Sequence, residues 1–269
     1  MLPCTTCGSP LTPPSPCAPC ARLSEALSHG GVAAVIPARY ASSRFPGKPL
    51  ALLRGRPMVQ HVYERACASG AFSAVLVATD DPRIAEAVRR FGGPVRFTSA
   101  GCASGTDRVA EVARAFPAVS AWVNVQGDEP LVDPAALSAL AGALSDPGVE
   151  LATLVRPLEE EERQNPNVVK AVLALDGHAL YFSRAEVPFA REGGPVPRWA
   201  HVGLYGYRRD VLERLSRLPP SPLEQVELLE QLRALEHGIR IRCLPTSFRG
   251  VGVDTPADLA RAEALLGTP

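Results

Sequence analysis

The chain has 269 residues, 46% of them apolar, with Lys plus Arg and Asp plus Glu balanced at 28 each. That length and composition support one large α/β domain or two small ones with a substantial core. Zero net charge argues against a nonspecific nucleic-acid binder, which needs a basic surface, and no apolar run is long enough for a membrane span. The first residues are Cys, Pro, Ser and Thr rather than the basic and apolar stretches of a secretory signal, so a cytoplasmic protein with reduced or metal-bound thiols is expected.

Residues 1–30 differ in kind from the rest. They hold Cys4-x-x-Cys7 and Cys17-x-x-Cys20, two pairs of the sort that bind a structural Zn²⁺ through four thiolates. A tail of idle thiols and a redox pair are the other readings. Zinc would supply the folding energy that so apolar-poor a segment lacks. A short helix is predicted over Ala21–Leu27, and the globular pattern begins near Gly31 and continues to residue 269. Cys67, Cys102 and Cys243 are scattered and read as buried small apolar residues.

From Gly31 strands and helices alternate, the pattern of a layered α/β sheet. Strands are predicted at Val32–Ile36, Ala74–Ala78, Val95–Thr98, Ala121–Val125, Leu151–Val155, Val168–Leu173 and Ile239–Leu244. Helices are predicted at Met58–Ser69, Pro82–Phe91, Thr106–Phe116, Pro134–Leu144, Arg209–Arg217, Pro222–His237 and Thr255–Leu266. Gly70 and Gly238 stand where helices stop, and Thr255-Pro256 reads as an N-cap followed by proline at the first helical position. The stretch 181–207 breaks the rhythm with Pro188, Gly193, Gly194, Pro195 and Pro197 before a strand-like Trp199–Tyr207. It reads as an excursion from the sheet, a lid or a subunit contact.

Four constellations carry chemistry. The strand Val32–Ile36 empties into a loop stiffened by Pro37, Pro46, Gly47 and Pro49 that carries Arg39, Arg44 and Lys48. Ligands of open α/β sheets sit beyond the carboxyl ends of strands, and guanidinium forks match phosphate oxygens, so this loop is suited to a polyphosphate. Val123–Pro130 is a second strand ending in polar residues, where Asp128 could hold a hard cation or cap a turn. Gly250–Pro256 brings Asp254, which could share that cation or, like Thr255, cap the last helix. Ser104-Gly-Thr-Asp-Arg108 could bind an anion or a base edge, and plain capping explains it equally well.

Pro37-Ala-Arg-Tyr-Ala-Ser-Ser-Arg-Phe-Pro-Gly-Lys48, Val125-Gln-Gly-Asp-Glu-Pro130, Tyr181-Phe-Ser-Arg184, His201-Val-Gly-Leu-Tyr-Gly-Tyr207, Ser221-Pro-Leu-Glu224, Leu229-Glu-Gln-Leu-Arg233 and Gly252-Val-Asp-Thr-Pro256 occur in one order. From about Val32 to the C-terminus the chain resembles the 3-deoxy-manno-octulosonate (Kdo) cytidylyltransferases. The resemblance implies a Rossmann-like nucleotidyltransferase fold, with a predominantly parallel mixed sheet flanked by helices and a smaller sugar-binding and dimerisation excursion. It implies transfer of CMP from CTP to Kdo with release of pyrophosphate, Mg²⁺ dependence, a homodimer and a role in lipopolysaccharide synthesis.

Both reactants are anions, and two unit charges 4 Å apart repel by roughly 4 kcal/mol at an intermediate dielectric, so cations must cancel that charge. Arg39 and Lys48 are assigned to the triphosphate, with Arg44 helping. By resemblance, Asp128 and Asp254 hold Mg²⁺, Ser104, Gly105 and Arg108 meet cytosine or ribose, and Gln126, Tyr181, Arg184, His201, Tyr205 and Glu227 meet the sugar, Arg184 at its carboxylate. Tyr181 and Tyr205 could instead be core aromatics, His201 a structural histidine and Glu227 a surface residue. Two further readings stay open: transfer to another acidic sugar, and a non-catalytic zinc-dependent interaction protein on the same fold.

Overall fold

An apolar strand without a polar face belongs where both faces of a sheet are covered. The strand β1 (Val32–Ala38) is of this kind and lies in the middle of the main sheet of the computed structural model, which describes residues 18–41, 44–192 and 196–266. It pairs in parallel with β4 (Ala74–Thr79) on one side and β6 (Ala121–Asn124) on the other. β5 (Val95–Phe97) extends the parallel set beyond β4. On the far side of β6 lies β10 (Trp199–Arg208), antiparallel to both β6 and β7 (Leu151–Pro157), and β11 (Ile241–Pro245) follows parallel to β7. A hairpin of β8 (Lys170–Leu173) and β9 (Ala179–Ser183) hangs from the start of β10. A separate ribbon joins β2 (Leu52–Leu53) to β3 (Arg56–Pro57).

Alternation along β1 divides the core. Ala34 and Ile36 face α2 (Met58–Ala68), α3 (Pro82–Arg90) and α5 (Pro134–Ala143), which contribute Val59, Ile84 and Leu137. Ala33 and Val35 face the other layer, built from α1 (Ala18–Ser28), α4 (Gly105–Ala115), α6 (Arg209–Leu215) and α8 (Gln231–Glu236). α9 (Pro256–Leu265) packs Ala262 with Leu53, Met58 and Val253, which ties the C-terminal segment to the ribbon.

Strand order places the ligand crevice. After β5 the chain crosses β1 to build β6 on its other side, so the direction of strand addition reverses between β1 and β6. The carboxyl ends of neighbouring strands diverge at such a point, which leaves an opening. The loops after β1 and β6 carry Arg39 and Asp128 into it.

Four expectations are corrected. The strand Trp199–Tyr207 is no excursion: as β10 it fills the sheet between β6 and β7, and only the β8–β9 hairpin and the connection into β10 stand aside. The helix expected over Pro222–His237 is broken. α7 (Pro222–Glu227) ends at Leu228 in the left-handed region (φ 53°), which lets Leu229 turn into the core before α8 begins. The globular part does not begin near Gly31 but already includes α1, because Leu23 and Leu27, four residues apart, are buried in the same cluster as Val35 and Leu76. Cys102 and Cys243 are buried as expected, but Cys67 is exposed on the outer face of α2. Cys4, Cys7, Cys17 and the Cys20 side chain lie outside the described residues. Among the described residues no helix is long and apolar enough to cross a membrane.

Candidate active site

The loop after β1 is closed on itself by the Gly47 amide, which donates to the Tyr40 carbonyl at 2.9 Å. The Arg83 guanidinium lies 3.3 Å over the Tyr40 ring and holds it from outside, a cation–π contact. Arg39 lines the crevice at this loop, and its Nη2 is buried with no hydrogen-bond partner among the described residues. A buried guanidinium nitrogen without an acceptor is costly unless an anion completes it.

The loop after β6 comes against β1 at Gly127. A Cβ there would lie 2.6 Å from the Pro37 carbonyl oxygen, so only glycine permits the approach. That approach fixes Asp128 opposite the basic loop. The segment 250–254 is tied to the same turn: the Val253 amide donates to the Asp128 carbonyl at 2.9 Å, and the Val251 amide donates to Glu129 Oε2 at 3.0 Å. Gly250 passes so near Glu129 that a Cβ would meet its Oε1 at 2.9 Å.

Asp128 and Asp254 therefore converge although 126 positions separate them in the chain. Lys48 Nζ lies between them, 2.8 Å from Asp128 Oδ2 and 3.1 Å from Asp254 Oδ1, and Arg44 reaches Asp254 at 3.2 Å. Burial opposes the Lys48 charge, but the two carboxylates outweigh it and raise the pKa above the ordinary lysine value. Behind them Glu129 is pushed up to about 8, by burial first and then by the Asp128 charge. Two carboxylate oxygens already gathered around one cation form a hard donor pair. Such a pair has the chemistry that a hard divalent cation accepts from one or two carboxylates.

Two cavities meet at these acids. One, of about 400 Å³, is lined by Arg39, Arg44 and Lys48. The other, of about 560 Å³, is lined by His201, Tyr205, Tyr207, Glu230 and Gln231. Gln126, Asp128 and Asp254 line both. Gly105, at the start of α4, also borders the second cavity. Burial moves His201 down to about 3, so its ring is neutral, and holds Tyr205 far above the ordinary phenol range.

The remaining expected site residues lie elsewhere or are already engaged. Ser104 caps α4 in a reciprocal box with Asp107. Arg108 is fully buried: it donates to Thr98 Oγ1 and lies 3.5 Å from Asp80, so it does not face either cavity as a base or ribose contact would. Arg184 borders the larger cavity, but its guanidinium donates to the carbonyls of Glu227, Pro166 and Leu228 rather than standing free for a carboxylate. Glu227 turns away from the cavity, accepting from Ser183 Oγ at 2.6 Å and the Arg184 amide at 2.9 Å. Tyr181 packs half-buried against the second core layer and borders neither cavity.

Glu230 and Gln231 are a further acid and amide lining the larger cavity, and sequence reasoning missed them because it ran one helix through 222–237. The run Leu229-Glu-Gln-Leu-Arg233 was the available signal. Burial raises the Glu230 carboxyl above its ordinary range, while a hydrogen bond from Thr106 opposes that shift.

A switch-point crevice with a basic loop on one side and paired acids at its centre defines an α/β protein built to hold a polyphosphate. A family model described as cytidylyltransferase matches residues 33–241. The 3-deoxy-manno-octulosonate cytidylyltransferase of Myxococcus xanthus is 61% identical over 234 residues, covering 87% of this chain and 95% of that protein. The protein of the same name from Nitratidesulfovibrio vulgaris is 52% identical, covering 84% and 92%. A solved structure of CMP:2-keto-3-deoxy-manno-octonic acid synthetase complexed with CTP superposes with a TM-score of 0.85 at 46% identity, covering 88% of this chain and 98% of that one. A 4-diphosphocytidyl-2C-methyl-D-erythritol synthase from Anaerococcus prevotii, 11% identical with a TM-score of 0.60 over 89% of this chain and all of that one, shares the fold. The chain belongs to the cytidylyltransferase family and, within it, to the 3-deoxy-manno-octulosonate cytidylyltransferases.

Proposed function

We propose that the chain transfers CMP from CTP to the anomeric hydroxyl of 3-deoxy-manno-octulosonate, releasing pyrophosphate and supplying CMP-Kdo for lipopolysaccharide synthesis in the cytoplasm. One observation carries the reading: a basic cavity and a mixed apolar–polar cavity share a wall made of Gln126, Asp128 and Asp254. The triphosphate takes the first cavity and the acidic sugar the second, so the bond to be made lies at the wall.

Phosphoryl transfer needs positioning and charge neutralisation more than covalent help. Arg39 completes its buried Nη2 with a phosphate oxygen, and Lys48 and Arg44 add charge on the same side. The attack of the sugar hydroxyl on the α-phosphorus breaks the bond to the departing pyrophosphate. It needs no side-chain nucleophile. Asp128 and Asp254 would hold Mg²⁺, which when bound acidifies the hydroxyl and stabilises charge on the phosphoryl group. Gln126, His201, Tyr205, Glu230 and Gln231 orient the sugar.

Release of pyrophosphate with CTP, Mg²⁺ and a panel of acidic sugars tests the proposal. Kdo is expected to be preferred; preference for sialic acid or silence with every sugar refutes it. Asp128→Ala and Asp254→Ala are each expected to lower turnover by several decades with the fold retained, and near-normal turnover would remove the metal role. We also propose a homodimer through the hairpin side, where Leu180 and Phe189 are exposed at 61% and 86%. Light scattering that gives a monomer mass would refute this. The Cys4, Cys7, Cys17 and Cys20 set is proposed as a structural Zn²⁺ site on its spacing alone.

A further inference from the structure

We propose that Thr153 is a positioning residue that holds the His201 imidazole as its Nε2-protonated tautomer and so leaves Nδ1 as a fixed acceptor for a sugar hydroxyl. The proposal rests on the reading that the larger cavity takes the sugar, and deepens it.

The number of protons available around the Thr153 hydroxyl fixes the tautomer. Thr153 lies on β7 and is completely buried. Its Oγ1 is 2.8 Å from the Leu204 carbonyl, 3.3 Å from the Val202 carbonyl and 2.8 Å from His201 Nε2. A hydroxyl has one proton to give, and a carbonyl oxygen can only accept. If that proton goes to Leu204, Nε2 must be the donor in the remaining contact. If it went to Nε2 instead, two bare oxygens would face each other at 2.8 Å inside the sheet, with a buried carbonyl unpaired.

The carbonyls are available because β10 bulges here. Val202 pairs with Leu154 and Tyr205 with Thr153, so Gly203 and Leu204 are extra residues outside the ladder. A bulge frees backbone groups that something else must satisfy. The Thr153 hydroxyl is that donor, which a valine of the same shape could not be.

The ring has little freedom otherwise. Its backbone amide donates to the Val169 carbonyl at 2.8 Å, and Phe182 meets it edge-on with centroids 4.9 Å apart. The ring borders the larger cavity, and Nδ1 has no hydrogen-bond partner among the described residues. Burial keeps the ring neutral, so the tautomer is a property of the fold and not of the pH. A bare ring nitrogen attracts a hydroxyl proton and repels a carboxylate. His201 would thus seat a hydroxyl of the sugar and turn its carboxylate elsewhere.

The test uses the full-length protein with Thr153→Val and Thr153→Ser. Long-range ¹H–¹⁵N spectra of the His201 ring, recorded without substrate, should show Nε2–H in the wild type and in Thr153→Ser. In Thr153→Val the ring should shift toward a mixture or the Nδ1–H form. KM for the sugar should rise about tenfold in Thr153→Val, the size of one lost neutral hydrogen bond, with KM for CTP unchanged and Thr153→Ser close to wild type. An Nδ1–H ring in the wild type overturns the proposal, and this readout holds even if Thr153→Val does not fold. A shifted tautomer with an unchanged sugar KM also overturns it. Failure of the functional reading looks different: the wild type would turn over no acidic sugar while its His201 spectrum stayed as expected.

Discussion

Glu129→Gln should make the protein less sensitive to rising pH. Burial and the neighbouring Asp128 push the Glu129 carboxyl up to about 8 from a starting value of 4.5. The unfolded chain therefore gives up this proton at a lower pH than the folded chain does. Stability is fully present below 4.5 and is lost as the pH climbs toward 8, where the folded carboxyl also ionises. Inside that window the slope is at most about 1.4 kcal/mol per pH unit. Between about pH 5.5 and about pH 7.5 this amounts to roughly 3 kcal/mol, and water reaching a half-buried carboxyl trims it to about 2 kcal/mol. Gln copies the protonated acid, keeps an acceptor for the Val251 amide and cannot ionise. Urea melts of both proteins in EDTA should give stabilities that diverge by about that much, the wild type falling relative to the variant as the pH rises. Curves that stay parallel within about 0.5 kcal/mol would refute the reasoning, as would a variant that loses more stability than the wild type.

Other substitutions probe the site's separate parts. Arg39→Ala should raise KM for CTP by about tenfold to a hundredfold, the range for a charge-assisted hydrogen bond, and leave KM for the sugar unchanged; equal affinity for CTP would count against the loop assignment. Gly127→Ala should lower both melting temperature and turnover, because its Cβ must push the Pro37 carbonyl away. A variant with wild-type activity would mean the two loops need not touch. His201 is neutral well below physiological pH, so pH–rate profiles should show no inflection that Thr153→Ser or His201→Asn removes near the ordinary histidine range. Elemental analysis of the full chain beside a Cys4→Ser/Cys7→Ser variant should show about one zinc lost. Point variants are the right probe, since deleting residues 1–30 would also remove the core residues Leu23 and Leu27.

Local chemistry was legible in the chain because it is written in neighbouring residues. Apolar β-branched runs marked the buried strands, and Thr255-Pro256 marked the start of α9 where the capping box forms. The basic loop and Asp128 each follow a strand, so their place at its carboxyl end followed from the pattern of runs and turns. What no local pattern carries is which strands become neighbours. β10 looked like an excursion because Pro- and Gly-rich residues precede it, yet only the pairing of Tyr205 with Asn124 makes it the wall between β6 and β7.

Long-range approach likewise decided the site. Asp254 is brought to Asp128 by hydrogen bonds from two backbone amides, Val251 to the Glu129 carboxylate and Val253 to the Asp128 carbonyl, and a turn residue cannot announce a partner that far along the chain. Arg184 and Glu227 carry the right chemical groups, but the broken helix at Leu228 brings backbone carbonyls and a hydroxyl to them and leaves Glu230 facing the cavity. Residue type sets what a side chain can bond to. Only the packing of distant backbone segments sets what it meets first, because a buried polar group takes whichever partner the fold supplies.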